Sequence, residues 1–306
     1  MAPAPTALPE LDAPYTLSGD ARRDFERDGH VLLRRVAVPD EVAAYRPLIR
    51  EATFGNSVEK RALDERDTYG RAFIQVGDLW KKEPAVAGFT LARRFGRIAA
   101  ELLGVTAVRL YHDQALFKEP GGGPTPWHQD QYYWPLEGDG TITMWMPLVD
   151  IAADMGGMEF GSGTQRRPAL AELAISDESE AFFERMAASG EFPVTKPVPM
   201  AAGDATFHAG WTLHRAMPNT SNQMREVMTI IFFADGSRLL EPHYQERKSP
   251  FESLFLGLSP GDAAASDMTP IVYSANKAYR AALPRSTNQD NPAQLSDSVA
   301  RTSVPE

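Results

Sequence analysis

Trp127-His128-Gln129-Asp130 is the stretch whose reading decides the fold. On extended backbone, residues i and i+2 project from the same side, so the imidazole of His128 and the carboxylate of Asp130 face one cavity. A Gly-Gly-Gly-Pro-Thr-Pro loop (121–126) precedes the pair, and Trp127, Tyr132, Tyr133 and Trp134 surround it. A histidine and a carboxylate so placed form two-thirds of a two-histidine, one-carboxylate metal site, a ligand set with open positions that suits non-haem Fe(II). The missing donor must lie far along the chain.

Six histidines are available, at 30, 112, 128, 208, 214 and 243, and any one taken alone is a structural or solvated residue. His214 stands out because it follows Gly203-Asp204 in a strand-like region and has Arg225 eleven residues beyond it. His208 competes for the same role, its plain reading being a hydrogen-bonded residue lining the same sheet. His30, His112 and His243 are read as structural.

The rest of the composition narrows the class. With 43% apolar and 24% charged residues, the 306-residue chain is ordinary globular material and long enough for a sizeable core. A formal net charge of −10 lacks the basic footprint that nucleic acid or an anionic membrane requires. Cysteine is absent, which removes disulfides, thiolate metal sites and a cysteine nucleophile, and suits a reducing cytoplasm where iron stays ferrous. No window is apolar for long enough to span a membrane.

Residues 1–17, rich in Pro and Ala, read as a flexible arm rather than a signal peptide. Ser18 or Asp20 caps a helix through Phe25, which Gly29 ends before a strand-like run from His30 to Leu33. Pro39 opens a second helix on Val42, Tyr45 and Ile49, with Pro47 expected to kink or restart it. The spacing Leu91, Phe95, Ile98, Leu102 marks a third helix stopped by Gly104. Beyond it, 105–118, 141–147, 195–198, 204–208 and 226–234 read as strands. A helical insertion at 177–188 has Ser176 as cap. Helices first and strands afterwards predict an α+β chain with a mainly β core covered by N-terminal helices. Residues 18–283 then make one domain, and 284–306, poor in large apolar groups, a disordered tail.

Pro126-Trp127-His128-Gln129-Asp130, with Gly203-Asp204, His214, Pro218-Asn219 and Arg225, resembles the phytanoyl-CoA dioxygenase family of Fe(II)- and 2-oxoglutarate-dependent oxygenases, from about Asp20 to about Asp235. The resemblance implies a double-stranded β-helix, a jelly-roll of the cupin type. It implies His128, Asp130 and His214 as iron ligands, with 2-oxoglutarate and O2 as cosubstrates. Arg225 is implied as the partner of the distal carboxylate, a role suited to a planar, always-charged fork. Trp145 and Gln114 fall where relatives contact the cosubstrate, although Trp145 reads nearly as well as barrel core. Two positions depart from the pattern: Ala216 replaces a serine, and Gly161-Ser162-Gly163-Thr164-Gln165 replaces a Pro-Gly-Ser-His turn.

The expected activity is C–H oxidation of a small molecule in specialised metabolism, hydroxylation foremost, with release of succinate and CO2. Desaturation, epoxidation, epimerisation and cyclisation use the same chemistry, and a silent metal- or ligand-binding β-helix is the non-enzymatic alternative. Asp130 speaks against halogenation, which needs that ligand position vacated. Gln75, Tyr132, Trp134 and Trp211 are candidates for the substrate wall, whose aromatic faces favour a ring-bearing or apolar free molecule over a coenzyme A thioester. The basic groups at 93, 94 and 97 and at 166 and 167 are where a thioester's phosphates would have to bind.

Overall fold

A computed structural model describes residues 7–276 apart from 172 and 244, with the side chains of 68 and 69 also outside the description. Its strands are β1 His30–Leu33, β2 Ile74–Gly77, β3 Ala107–Phe117, β4 Thr125–His128, β5 Thr141–Pro147, β6 Met158–Gly161, β7 Val194–Thr195, β8 Ala205–Ala209, β9 His214–Ala216, β10 Val227–Ala234 and β11 Ile271–Ser274. The helices are α1 Gly19–Asp28, α2 Pro39–Asn56, α3 Thr68–Ala72, α4 Leu79–Lys82, α5 Pro84–Thr90, α6 Arg93–Leu103, α7 Asp177–Ala188 and α8 Gln245–Leu254.

The strands form two antiparallel sheets. The larger runs β1-β8-β5-β10-β3-β11, with β2 also paired to β3, and the smaller runs β4-β9-β6-β7. The alternation along each strand shows what lies on either side. Ile142, Met144 and Met146 of β5 and Met228, Ile230 and Phe232 of β10 join the main core, which packs against Val42, Tyr45, Val86, Phe89, Phe95 and Ile98 of the helices. The intervening residues, Thr143, Trp145, Thr229 and Ile231, line the cavity of the β core instead. This is the jelly-roll expected from the sequence, with helices over the outer face of its larger sheet.

Local signals account for the helix ends. The Ser18 hydroxyl accepts from the Ala21 amide, and Gly29, at φ 77°, closes α1 through a bond from its own amide to the Phe25 carbonyl. Gly104, at φ 69°, does the same for α6. Ser176 accepts from the Ser179 amide at the start of α7. Gly203 is required by its surroundings, since at φ 86° a Cβ there would stand 2.2 Å from the Ala37 carbonyl oxygen. Its neighbour Asp204 is structural: its carboxylate accepts from the Arg35 and Ala201 amides at 2.8 and 2.9 Å and from Arg34 at 2.8 Å, which ties the start of β8 to the end of β1.

Several expectations are corrected. Residues 7–17 are no loose arm: Leu11 and Leu17 are buried, the Leu11 and Ala13 carbonyls accept from Arg94, and Tyr45 donates to the Pro9 carbonyl. Pro47 does not divide α2, which runs unbroken from Pro39 to Asn56, because its apolar face stays packed on the core on both sides of the proline. Leu91 belongs to the break between α5 and α6 rather than to the latter helix. The tail at 284–306 lies outside the described residues.

Candidate metal centre

The smaller sheet builds the centre. β4 and β9 pair with His128 opposite His214, which brings the two ring centroids to 4.1 Å. β4 ends at His128, Gln129 remains extended at φ −116° and ψ 121°, and Asp130 opens a 3-10 turn. The same-side relation of 128 and 130 therefore survives even though the strand stops between them. Asp130 Oδ1 lies 3.5 Å from His128 Nε2 and 3.6 Å from His214 Nε2, and the donor atoms of the three residues all lie within 4.8 Å of one another.

Both imidazoles are turned for ligation by the backbone. His128 Nδ1 donates to the Pro126 carbonyl at 2.8 Å and His214 Nδ1 to the Thr212 carbonyl at 2.9 Å, so in both rings Nε2 is the nitrogen turned toward the carboxylate. Burial, reinforced by His128, holds His214 well below the usual imidazole range and so in the neutral, ligating form. Burial pushes the Asp130 carboxyl up, but the facing His214, His128 and His208 outweigh it and keep the group well below the usual carboxylate range. Two imidazoles and a carboxylate within reach of one point fit a divalent cation of intermediate softness.

Arg225 sits deeper. It immediately precedes β10, its backbone bridges to Lys118 of the neighbouring strand end, and its side chain is 1% exposed. One guanidinium nitrogen donates to the Gly156 carbonyl, the plane lies 5.3 Å over the Trp145 ring, and Nε has no partner. Among the described residues no carboxylate pairs with it. Burial alone pushes the guanidinium down to about 9. Lys118 is also fully buried, donates to the Gly123 carbonyl, and is pushed down to about 6, first by burial and then by Arg225. A buried cation with an unsatisfied nitrogen beside a cavity is a site shaped for an anion.

The cavity holding both features has a volume of about 580 Å³. Of the residues expected to line it, His128, Asp130, His214, Arg225, Trp145, Gln114, Gln75 and Trp134 do so. Tyr132 and Trp211 do not: Tyr132 is buried beside the chain of α8, its carbonyl accepting from Arg247, and the Trp211 indole donates to the Gly138 carbonyl. Trp127 and Trp80 also face away, Trp127 packing on Phe192 with Arg215 over its ring. Position beside the motif did not place Trp127 and Tyr132 in the cavity, because Trp127 points to the other side of β4 from His128 and the 3-10 turn at 130–133 carries Tyr132 out while bringing Tyr133 back in.

Other wall residues escaped the sequence. His112, read as structural, lines the cavity one β-period before Gln114, and its Nε2 lies 3.0 Å from the Gln114 amide nitrogen, while the Gln114 amide oxygen accepts from Gln75 Nε2 at 2.9 Å. Burial pushes His112 down to about 4, so the ring is neutral and accepts that hydrogen bond. The period-2 pattern His112, Gln114, Leu116 on β3, all three lining the cavity, was the available signal. Ala174 and Ile175 from the loop before α7, and Glu246 and Pro250 of α8, also line the cavity, and nothing local in their sequence marks them as doing so.

Comparison with known proteins matches residues 25–227 to the family model described as phytanoyl-CoA dioxygenase. Methylphosphonate hydroxylase of Gimesia maris is 28% identical over 156 residues, which cover 50% of this chain and 56% of that protein; the chain thus spans about half the length of the curated relatives it matches. Among solved structures, the non-haem α-ketoglutarate-dependent carbocyclase SnoK from nogalamycin biosynthesis superposes with a TM-score of 0.69 and 27% identity, covering 85% of this chain and 99% of that one. The epimerase SnoN, solved with Fe3+, α-ketoglutarate and nogalamycin RO, gives a TM-score of 0.67 at 23% identity, covering 83% and 97%.

Proposed function

The chain belongs to the phytanoyl-CoA dioxygenase family, and from that premise we propose that it is an Fe(II)- and 2-oxoglutarate-dependent oxygenase acting on a small molecule. His128, Asp130 and His214 hold the iron, and Arg225 binds the distal carboxylate of 2-oxoglutarate over the Trp145 ring. With iron and 2-oxoglutarate bound, the site can spend dioxygen on oxidising a C–H bond while the cosubstrate leaves as succinate and CO2. The observation that carries this reading is the pairing, in one cavity, of three donors within 4.8 Å with a buried Arg225 that has no carboxylate partner among the described residues.

The residues of the chain contribute binding, orientation and exclusion of water. The Pro126 and Thr212 carbonyls fix which nitrogen each histidine offers. The Arg225 fork matches a carboxylate bidentately, and the Trp145 face below it keeps the fork in place. Relatives' serine at 216 is here Ala216, which lines the cavity and offers no hydroxyl, so Arg225 carries more of the anchoring.

The substrate wall supports a ring-bearing or apolar molecule. Phe73, Tyr111, Leu116, Tyr133, Trp134 and Ile175 supply the faces, while Gln75, Gln114 and His112 supply a polar strip to orient it. A cavity of about 580 Å³ also has room for a body much larger than methylphosphonate beside the cosubstrate. Its second arginine, Arg215, is taken up by Glu159, Glu180 and Glu184, so among the described residues that line the cavity no further arginine or lysine is left for a phosphonate or a coenzyme A phosphate. The other basic groups considered are occupied as well: Arg93 with the Ser274 carbonyl and the Tyr273 ring, Arg94 with Glu41, Arg97 with Glu101, Arg167 with Glu191, and Arg166 with the Glu26 carbonyl. Hydroxylation in specialised metabolism is the first reading. Oxidative cyclisation is the second, favoured by the likeness to SnoK over nearly its whole length.

Succinate formation from 2-oxoglutarate by the Fe(II)-loaded protein tests the class, with apo protein and the Asp130→Ala variant as controls. No succinate above those controls refutes it. Adding panels of aromatic or polycyclic metabolites, free phosphonates and acyl-coenzyme A thioesters tests the substrate class. Coupled product is expected from the first panel, and product from the thioesters alone refutes the cavity argument.

A further inference from the structure

We infer that His208, which stands outside the proposed ligand set, works with Thr143 to hold Asp130 to the metal through one oxygen, and so keeps a coordination position open for the cosubstrate. The inference rests on His128, Asp130 and His214 being the iron ligands. β5 and β8 pair with Thr143 opposite His208, so both side chains emerge side by side into the cavity. The Thr143 hydroxyl donates to Asp130 Oδ2 at 2.9 Å, and His208 Nε2 lies 3.3 Å from the same oxygen. An ionised carboxylate can only accept, so both groups donate. Oδ1 is left as the oxygen that faces His128 and His214.

The tautomer of His208 follows from this arrangement. With the proton on Nε2, Nδ1 is bare, and that nitrogen is buried without a hydrogen-bond partner. Leaving a buried acceptor unsatisfied is destabilising, and here it accompanies an N–H directed at Asp130. The ring has no room to turn: it is 1% exposed, with centroids 4.4 Å from His214 and 5.5 Å from Phe160. His208 is also absent from the group of donors that converge within 4.8 Å, which separates a positioning role from ligation.

The consequence is coordinative. A carboxylate free at both oxygens can chelate, and would then take a position that a bidentate 2-oxo acid or dioxygen needs. Two donors on Oδ2 disfavour that mode, and three protein atoms remain as ligands. Outer partners of this kind change metal affinity by about 10- to 100-fold when removed.

The test uses Co(II) as an air-stable probe, titrated into the full chain and read by visible absorption with and without 2-oxoglutarate. The wild-type spectrum is expected to shift when 2-oxoglutarate binds. His208→Leu and Thr143→Val should each weaken Co(II) binding by about 10-fold or more and blunt the 2-oxoglutarate-dependent shift, whereas His208→Gln, which retains an N–H donor, should restore most of both. Melting of the metal-free proteins shows whether each variant is folded, and Thr143→Val carries the test if His208→Leu is not. Wild-type affinity and spectra in folded His208→Leu and Thr143→Val overturn the inference. So does a folded His208→Gln as impaired as His208→Leu, or metal lost from both His208 variants but retained by His214→Ala. Failure of the wild-type chain itself to bind Co(II) or Fe(II) overturns the proposed function as well, and is distinguished from these by the unaltered protein.

Discussion

Replacing Arg225 by lysine keeps a formal positive charge on paper and is expected to lose it in the protein. Burial already pushes the guanidinium down to about 9, and an ammonium starts about two units lower in water. Lys118, next to the same site, is itself pushed down to about 6. A lysine at 225 is therefore expected to be largely neutral at pH 7, and too short to reach both carboxylate oxygens. The loss is one or two charge-assisted hydrogen bonds at about 1.5–3 kcal/mol each, or roughly 10- to 100-fold or more in 2-oxoglutarate affinity. Because the amine's protonated form is favoured below its lowered pKa, part of the affinity should return on going from pH 8 to pH 6. Anaerobic titration of 2-oxoglutarate and separate titration of Fe(II) give the two affinities, and Fe(II) affinity should stay within about twofold since Arg225 is not among the convergent donors. Unchanged affinity for 2-oxoglutarate in the variant refutes the assignment of Arg225 as the anchor.

Fe(II) and 2-oxoglutarate should each raise the melting temperature, by the equivalent of about 2.7 kcal/mol at a hundredfold excess over Kd; an anaerobic thermal-shift titration that moves with neither argues against both ligands. His214→Ala should abolish metal binding and turnover, whereas His208→Ala should leave measurable activity at reduced metal affinity, as metal analysis and succinate release will show. Lys118→Met should stabilise the ligand-free protein by on the order of 4 kcal/mol near neutral pH, the linkage cost at about 1.4 kcal/mol per pH unit less the hydrogen bond lost to the Gly123 carbonyl, because the lysine is depressed to about 6 when folded and reverts to 10.5 when unfolded. Between those values the unfolded chain binds the extra proton, so wild-type stability should rise with pH across that window, and denaturant melts from pH 6 to 9 should show a shallower rise in the variant.

The helices and the metal motif were legible because their signals are local. Ser18, Gly29, Gly104 and Ser176 act on amides and carbonyls within a few residues, so α1, α6 and α7 end where the sequence says. Strands β5 and β10 were equally plain, being runs of branched and aromatic residues buried on both sides. The short strands β2, β4, β6, β9 and β11 were not, since each has three or four residues and exists by pairing with a distant partner. Pro47 misled for a related reason, the packing of Val42, Tyr45 and Ile49 outweighing one missing hydrogen bond.

By itself the sequence determined the residue types: two histidines and a carboxylate for a metal, an arginine for an anion, and an order of helices and strands that admits a jelly-roll. Tertiary structure decided which of the flanking aromatics face the cavity: alternation along β4 turns Trp127 into the core, away from the side of His128, and the 3-10 turn at 130–133 brings Tyr133 and Trp134 to the cavity wall while Tyr132 is buried outside it. It decided that the segments carrying Ile175, Glu246 and Pro250 join the cavity wall. It also gave His208 a carboxylate to hold, through a strand register that sets it opposite Thr143. Spacing along a chain sets which way neighbouring side chains point, but only the pairing of strands far apart in sequence sets which of them meet.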